Sequence, residues 1–341
     1  MSSKENAPLI VAVDDGYAQI KQYSETPDGR ILKTRIRSSV RSGRYGIGSV
    51  SGEGMIGLYD TEVGPFTVSD EIESENTQFD GFHTSPMNRV LVNHSILSSE
   101  KGTYEGKEIN LVTGLPVSDY FLPTGFKNDE KIQAKTANLM KPVALLSGGV
   151  APIVKSVTVG CQAVAAWFDY ALDDNLEERG DVSGEVAIID IGGRTTDIAV
   201  VIGGHSVDHQ RSRSTNMGVL NVYNDVSKGI LSHFKLTDEL KIKVIDEAVR
   251  TGAITLWNER HDVSEIVNRV IAEYQDKIAR EVERRINSGA TMSAIVFVGG
   301  GSALFSKIAT EFRNGKIIDD PEFSNARGLF KFAKLKSRDG K

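Results

Sequence analysis

The sequence predicts an α/β fold of two domains flanking a cleft, and three observations predict it. Short apolar, strand-like runs empty into glycine-bearing turns at three places, near residues 9–16, 186–193 and 294–302. Between them lie helix-like runs with apolar residues at helical spacing, the longest from Ser264 to about Ile286. At 341 residues the chain is long enough for two separate cores.

Residues 185–202, EVAIIDIGGRTTDIAVVI, read as a β-hairpin with chemistry in its turn. Residues 186–189 form a short apolar run that Asp190 ends. Gly192 and Gly193 let the backbone approach a ligand without a Cβ in the way. Thr195 and Thr196 add hydroxyl donors, and Asp197 opens a second β-run that Gly203 and Gly204 close. An acid at a strand tip, followed by glycine amides and hydroxyls, suits a magnesium-bound phosphate. The acid holds metal or water, and the amides hold phosphate oxygens. Taken alone, the stretch also fits an ordinary hairpin with a glycine-rich turn.

A second device of this kind opens the chain, LIVAVDDGYAQIK, with Asp14, Asp15, Gly16 and Tyr17 at a strand tip and Lys21 soon after. A third comes late, where the run 294–298 empties into Gly299, Gly300, Gly301 and Ser302. The chain has no P-loop GxxxxGK(S/T), and no GxGxxG follows a strand.

The three segments resemble the phosphate 1, phosphate 2 and adenosine motifs of the actin, heat-shock chaperone and sugar kinase ATPase superfamily. Within it the chain most resembles the bacterial actin-like proteins of plasmid segregation, the ParM/StbA family. DDGYAQIK, DIGGRTTDIAVV and VTGLPVSDY (112–120) carry the resemblance. It covers nearly the whole chain and is weakest between about residues 35 and 100.

The resemblance implies two actin-like, ribonuclease-H-like domains with nucleotide in the cleft between them. It places Asp14 near Mg²⁺ and its waters, Asp15, Gly16 and the Tyr17 amide along the phosphates, and Lys21 at the β- or γ-phosphate as a point charge. Tyr17 departs from the many relatives that carry a small hydroxyl residue there. Gly192, Gly193 and Thr195 would hold phosphate, the helix entered through Gly218 would lie beside ribose and base, and adenosine would rest on the 299–302 turn. Gln162 matches the place of a Gln or Glu that orients the attacking water, because its amide donates and accepts at once. Asp190 and Gln162 would be the catalytic pair, with Asp14 and Asp190 reaching the metal through water. The implied cofactors are ATP, with GTP as the alternative, and Mg²⁺.

The implied function is an ATPase that polymerises into dynamic filaments with ATP–Mg²⁺ and segregates plasmid DNA. Its partners would be its own copies and a DNA-binding adaptor of ParR type. A net charge of −6 agrees, because direct DNA binding needs clustered Lys and Arg. The motifs alone equally permit a small-molecule kinase or a monomeric regulatory ATPase, although no acid or histidine clearly supplies a kinase base. A chaperone ATPase would add a substrate-binding domain, which is not expected here. A cell-shape filament would carry a membrane-binding amphipathic segment, for which MSSKENAP is too polar. That stretch also lacks a signal-peptide core and reads as a short loose tail. No apolar run approaches the roughly 20 residues of a membrane span. The one cysteine, Cys161, fits core packing in a reducing cytosol, so the expected location is cytoplasmic.

In chain order, 18–36 read as a hairpin about Pro27-Asp28-Gly29. Arg30, Lys33, Arg35, Arg37, Arg41 and Arg44 form a basic run that is either a solvated edge or a filament or partner contact. Residues 42–86 suggest a variable subdomain of short strands. A helix follows at 87–97, where His94 reads as half-buried and not as a ligand. Next come a strand at 109–113, a helix at 128–139, a strand at 151–159 and a helix at 163–172. That last helix has Val164, Trp167, Phe168 and Ala171 on one face, and a polar loop follows it. The main boundary is placed here: 1–165 plus 318–341 as domain I, with a small subdomain at about 35–100, and 166–317 as domain II. His205 and His209 sit in a strand-like context that disfavours metal binding. A helix spans 216–230, and Thr237 would N-cap another at 238–250 that stops at Gly252. A strand and turn occupy 253–263. The long helix after it shows an apolar stripe and a solvated face bearing Arg269, Glu273, Lys277, Glu281 and Arg284. Helices at 303–313 and 323–333 close the chain, the last returning to domain I ahead of a Lys-rich tail.

Overall fold

Each half of the chain opens with a hairpin of apolar strands and then adds parallel strands beside the first one. The computed structural model describes residues 8–45, 57–179, 182 and 184–339. Most of the expected N-terminal tail and parts of the 42–86 subdomain and of the polar loop after residue 172 lie outside them. The first half runs β1 (Leu9–Asp15), β2 (Gln19–Glu25), β3 (Ile31–Arg37), β4 (Val40–Ser42), β5 (Leu58–Thr61), β6 (Gly64–Val68), α1 (Pro86–Leu97), β7 (Glu108–Leu115), α2 (Val117–Tyr120), α3 (Asp129–Leu139), β8 (Ala144–Leu145), β9 (Ile153–Cys161) and α4 (Gln162–Ala171). The second half runs β10 (Glu185–Ile191), β11 (Thr196–Ile202), β12 (Ser206–Val207), β13 (Arg213–Thr215), α5 (Val219–Phe234), α6 (Ile242–Thr251), β14 (Ala253–Leu256), β15 (Glu259–Asp262), α7 (Ser264–Ile286), β16 (Ala294–Val298), α8 (Ser306–Glu311), β17 (Gly315–Ile317) and α9 (Ser324–Asp339).

The two large sheets repeat one plan. Strand order is β3-β2-β1-β7-β9 in the first and β12-β11-β10-β16-β17 in the second, with β13 also on β11. In both, the first three strands are antiparallel and the last two join parallel to the first. β1 and β10 are therefore equivalent, as are β9 and β17, and so are the helices that follow those last strands, α4 and α9.

These two helices tie the halves together. α4 leaves the first sheet and packs on β10 and β11, burying Ala163, Ala166, Trp167 and Tyr170 with Val186, Ile188 and Val201. α9 leaves the second sheet and packs on β1 and β2, where Ala326, Leu329 and Phe330 meet Ala12 and Tyr23. The helices also pack on each other, close enough that a Cβ on Gly328 would strike the Ala165 carbonyl. α4 is thus buried on two sides, and the face expected from Val164 and Phe168 is only partly buried. Cys161 precedes α4 and is buried in the same core.

A four-stranded sheet β4-β6-β5-β8 forms the small subdomain, backed by α1, which Ser85 caps by accepting from the Asn88 amide. His94 is half-buried on α1, 2.7 Å from the Tyr59 hydroxyl. The second core gathers α5, α6 and α7 on one face of β10, β11 and β16.

Four local expectations need correction. α6 begins at Ile242, with Lys241 before it, and not after Thr237. Residues 300–305 form turns, so α8 is only Ser306–Glu311. α9 continues to Asp339, because its amphipathic pattern extends into the Lys-rich end. Glu281 is buried, not solvated, and accepts from Arg284 and Arg285.

Most of the basic run is matched by carboxylates of the same chain. Lys33 pairs with Asp320 at 2.5 Å, Arg35 with Glu322 at 2.7 Å and Arg37 with Asp246 at 2.6 Å, three links from edge strand β3 to the second half. Arg30 pairs with Asp28 and Glu100, and Arg41 with Glu73. No helix among the described residues is long and apolar enough to cross a membrane.

Candidate functional site

The β1–β2 turn and the β10–β11 turn face each other across the gap between the halves. A narrow inner recess of about 90 Å³ lies between them, and a wider outer chamber of about 980 Å³ adjoins it. Gln19, Arg37, Val219, Tyr223 and Gly300 line both.

Strand periodicity places an acid at the cleft in each half. Asp14 and Asp190 are each the next-to-last residue of their strand, 4% and 5% exposed, and both line the recess. Gln162, the first residue of α4, donates from Nε2 to Asp14 Oδ1 at 3.1 Å. Lys21 Nζ lies 3.6 Å from Asp14 Oδ2. Asn325, in the first turn of α9, donates from Nδ2 to Asp190 Oδ2 at 2.7 Å.

Burial is the main force on both acids. It pushes Asp190 up to about 7, helped by the charges of Asp14 and Asp197 and opposed by the Asn325 hydrogen bond. It also raises Asp14, which Lys21 opposes. Two desolvated carboxylates sharing a recess form a site in need of positive charge.

The glycines shape the walls. Gly16, Gly192, Gly193, Gly299, Gly300 and Gly301 all line the recess. Gly299 has φ +86°, and a Cβ there would collide with Asp190 Oδ1. Thr195 lines the recess with its hydroxyl donated to Asp197 Oδ2 at 2.7 Å. Gly218 precedes α5, whose Val219 and Leu220 amides donate to the Gly192 and Gly193 carbonyls at 3.1 and 2.8 Å. Its part is to seat α5 on the turn.

Two expected ligand contacts lie elsewhere. The Asp15 carboxylate points away from the cleft, because its place in β1 turns it to the opposite face of the sheet. It is fully buried, accepting from Lys135 at 2.7 and 2.8 Å, Asn88 at 2.8 Å and Thr113 at 2.8 Å. Burial alone would raise its pKa, but Lys135 and His83 hold it well below the usual range. Ser302 is buried and donates to the Gly299 carbonyl at 2.8 Å, closing its own turn.

The Tyr17 ring packs on Phe82 and His83, and its hydroxyl lies 3.4 Å from Arg194 of the facing turn. His205 bonds the Gly203 carbonyl and His209 packs on Phe121, so the two imidazoles serve different local contacts. Sequence reasoning missed Asn325 and Tyr223, which carry no motif signal, and read Arg37 only as part of a basic run and not as a cleft residue. It read Asp197 only as a strand opener. Asp197 is in fact buried, accepting from the Val117 amide at 2.8 Å and from Thr195 and Ser214.

The recess fits a nucleotide phosphate with Mg²⁺. Asp14 and Asp190 supply the oxygen donors such a cation takes, the glycine turns bring backbone to the recess wall without side chains, and the buried Asn325 Oδ1 has no partner.

The family model described as plasmid segregation protein ParM, N-terminal, matches residues 9–173. The model described as archaeal actin homologue MreB-like, C-terminal, matches residues 188–310. No curated protein matches the sequence. Among solved structures, a non-polymerisable quadruple mutant of pCBH ParM is 19% identical with a TM-score of 0.76, over 96% of this chain and 100% of that one. A subunit of a 15-stranded ParM filament from Clostridium botulinum is 19% identical with a TM-score of 0.74, over 96% and 99%. An archaeal actin homologue in complex with ADP is 19% identical with a TM-score of 0.72, over 96% and 99%. These likenesses establish the fold as the actin-like two-domain one.

Proposed function

We propose that this chain, a ParM-like protein of the actin family, is an ATPase whose ATP–Mg²⁺ cycle drives the growth and decay of a filament of its own copies. The filament would segregate plasmid DNA in the cytoplasm through a DNA-binding adaptor of ParR type. One observation carries the reading: two buried carboxylates, Asp14 and Asp190, each held by a side-chain amide, close a recess walled by three glycine turns. The ParM model over residues 9–173, the filament in which one similar protein was solved and the ADP held by another lend support.

The chemistry asked of the residues is positional and electrostatic. Mg²⁺, when bound, neutralises charge on the β- and γ-phosphates. Asp14 and Asp190 would hold it through water. Backbone amides of the Gly16–Tyr17 and Gly192–Gly193 turns would cradle phosphate oxygens, with Lys21 adding a point charge. Gln162, fixed on Asp14, would orient the attacking water together with Asp190. The outer chamber is wide enough for a nucleoside and is bounded by Gly300 on one side and Tyr223 on another. ATP is the expected nucleotide and GTP the alternative.

The test is right-angle light scattering of the purified protein with ATP–Mg²⁺, with phosphate release followed in the same cuvette. A rise in scattering that decays as phosphate appears is the expected result. Phosphate release without scattering at any concentration would replace the filament with a kinase or a monomeric regulatory ATPase.

A further inference from the structure

We infer that Asn325 is a positioning residue of the cleft, the second-half counterpart of Gln162, holding the Asp190 carboxylate and a water beside it. The inference deepens the ATPase reading and rests on it.

The repeated sheet plan puts an acid and a helix start in matching places in the two halves. Asp14 ends β1 one residue before its last, and Asp190 does the same on β10. Gln162 is the first residue of the helix after the fifth strand of its sheet, and Asn325 is the second residue of the equivalent helix in the other half. Each amide donates to the acid of its own half's first strand: Gln162 to Asp14 at 3.1 Å, Asn325 to Asp190 at 2.7 Å. The two amide–acid pairs line one recess.

Asn325 also has capacity to spare. It is 4% exposed, and its Oδ1 is buried without a partner. An amide donates and accepts at once, and a buried acceptor left empty costs about 1–3 kcal/mol. With Nδ2 committed to Asp190, Oδ1 is left to accept from a water in the recess, which would then be held between the amide and the acid. The backbone below is firmly anchored: the neighbouring Ser324 hydroxyl donates to Asp169 Oδ2 at 2.9 Å, and Arg327 grips the same carboxylate. The Asn325 side chain is therefore presented by a rigid crossing of α4 and α9.

The experiment compares wild type with Asn325→Ala and Asn325→Leu, the second keeping volume without polar atoms. Three quantities are read: kcat and KM for phosphate release from ATP, affinity for a fluorescent ADP analogue with Mg²⁺ and in EDTA, and melting temperature. Both variants are expected to lose about 10–100-fold in kcat and part of the Mg²⁺-dependent gain in ADP affinity. Affinity in EDTA should stay at the wild-type value. Wild-type turnover in both variants, or recovery by Asn325→Leu of what Asn325→Ala loses, would overturn the assignment and leave the ATPase reading standing. A wild-type protein that neither binds nucleotide nor releases phosphate would overturn both.

Discussion

Arg37 on β3 and Asp246 on α6 meet at 2.6 Å across the mouth of the cleft. Asp246 is 6% exposed and also accepts from the Tyr223 hydroxyl and from Arg250. Burial alone would raise its pKa, but Tyr223 and the two guanidinium groups hold it down, so the pair is ionised. Arg37 and Tyr223 line both the recess and the outer chamber. The Arg37–Asp246 contact therefore stands beside the place where the two cavities adjoin. The nearby Lys243–Glu71 pair is exposed and adds little.

Arg37→Ala is therefore expected to weaken closure by about 1–2 kcal/mol, a factor of roughly 5–30 in the open population. The check is the rate at which excess unlabelled ADP displaces a fluorescent ADP analogue in stopped flow. Displacement should speed up accordingly. An unchanged rate would mean that the halves do not separate at this contact.

Asp190→Ala should abolish phosphate release while largely sparing nucleotide binding. The acid acts on the water and cation, whereas most of the binding surface is backbone and chamber wall. A drop of at least about 100-fold in kcat is expected, the scale for losing one aligned electrostatic group. Normal turnover would refute the role.

Lys135→Met strands the Asp15 carboxylate in a fully buried place. Breaking a buried pair by removing one partner costs about 3–5 kcal/mol. Adding Asp15→Asn should recover much of that loss, because no uncompensated charge then remains. Urea unfolding of the two single variants and the double one measures the coupling. Strictly additive losses would show that the pair does not act as a unit.

His94 makes stability depend on pH. Burial lowers its pKa from 6.5 to about 4. The unfolded chain takes up the proton first, so the contribution is intact above pH 6.5 and lost as pH falls toward 4. At most about 3 kcal/mol is involved, and less for a side chain only half-buried. His94→Gln keeps a hydrogen-bond partner for Tyr59 and gains no proton. The stability difference between wild type and this variant should change across pH 7 to 4.5. A constant difference would sink the proposal.

Legibility of the fold followed chemistry and period. The hairpins β2–β3 and β10–β11, the strands β1 and β16 and the full span of α7 were readable, because alternating or helical apolar patterns and glycine or proline turns are local signals. Boundaries failed where tertiary packing overrode propensity, as at the start of α6 and the shortened α8. Glu281 was unreadable for the same reason: only the fold shows that an i,i+4 acid lies under two arginines.

In the site, Asp14, Lys21, Gln162 and Asp190 announced themselves through motifs, and they do converge on one recess. Asp15 and Ser302 shared those motifs yet turn away from it, since one residue along a strand reverses a side chain and a tight turn satisfies its own hydroxyl.

By itself, the sequence determined the strand tips, the acids on them and the glycine turns that follow, because those depend on neighbours a few residues apart. Only the tertiary structure decided what meets across the molecule. The crossing of α4 and α9 brings Gln162 to Asp14 and Asn325 to Asp190, and the closing of the halves brings Arg37 to Asp246. These contacts join residues 135 to 209 positions apart. No local pattern records them, because burial and strand order, not chain proximity, create them.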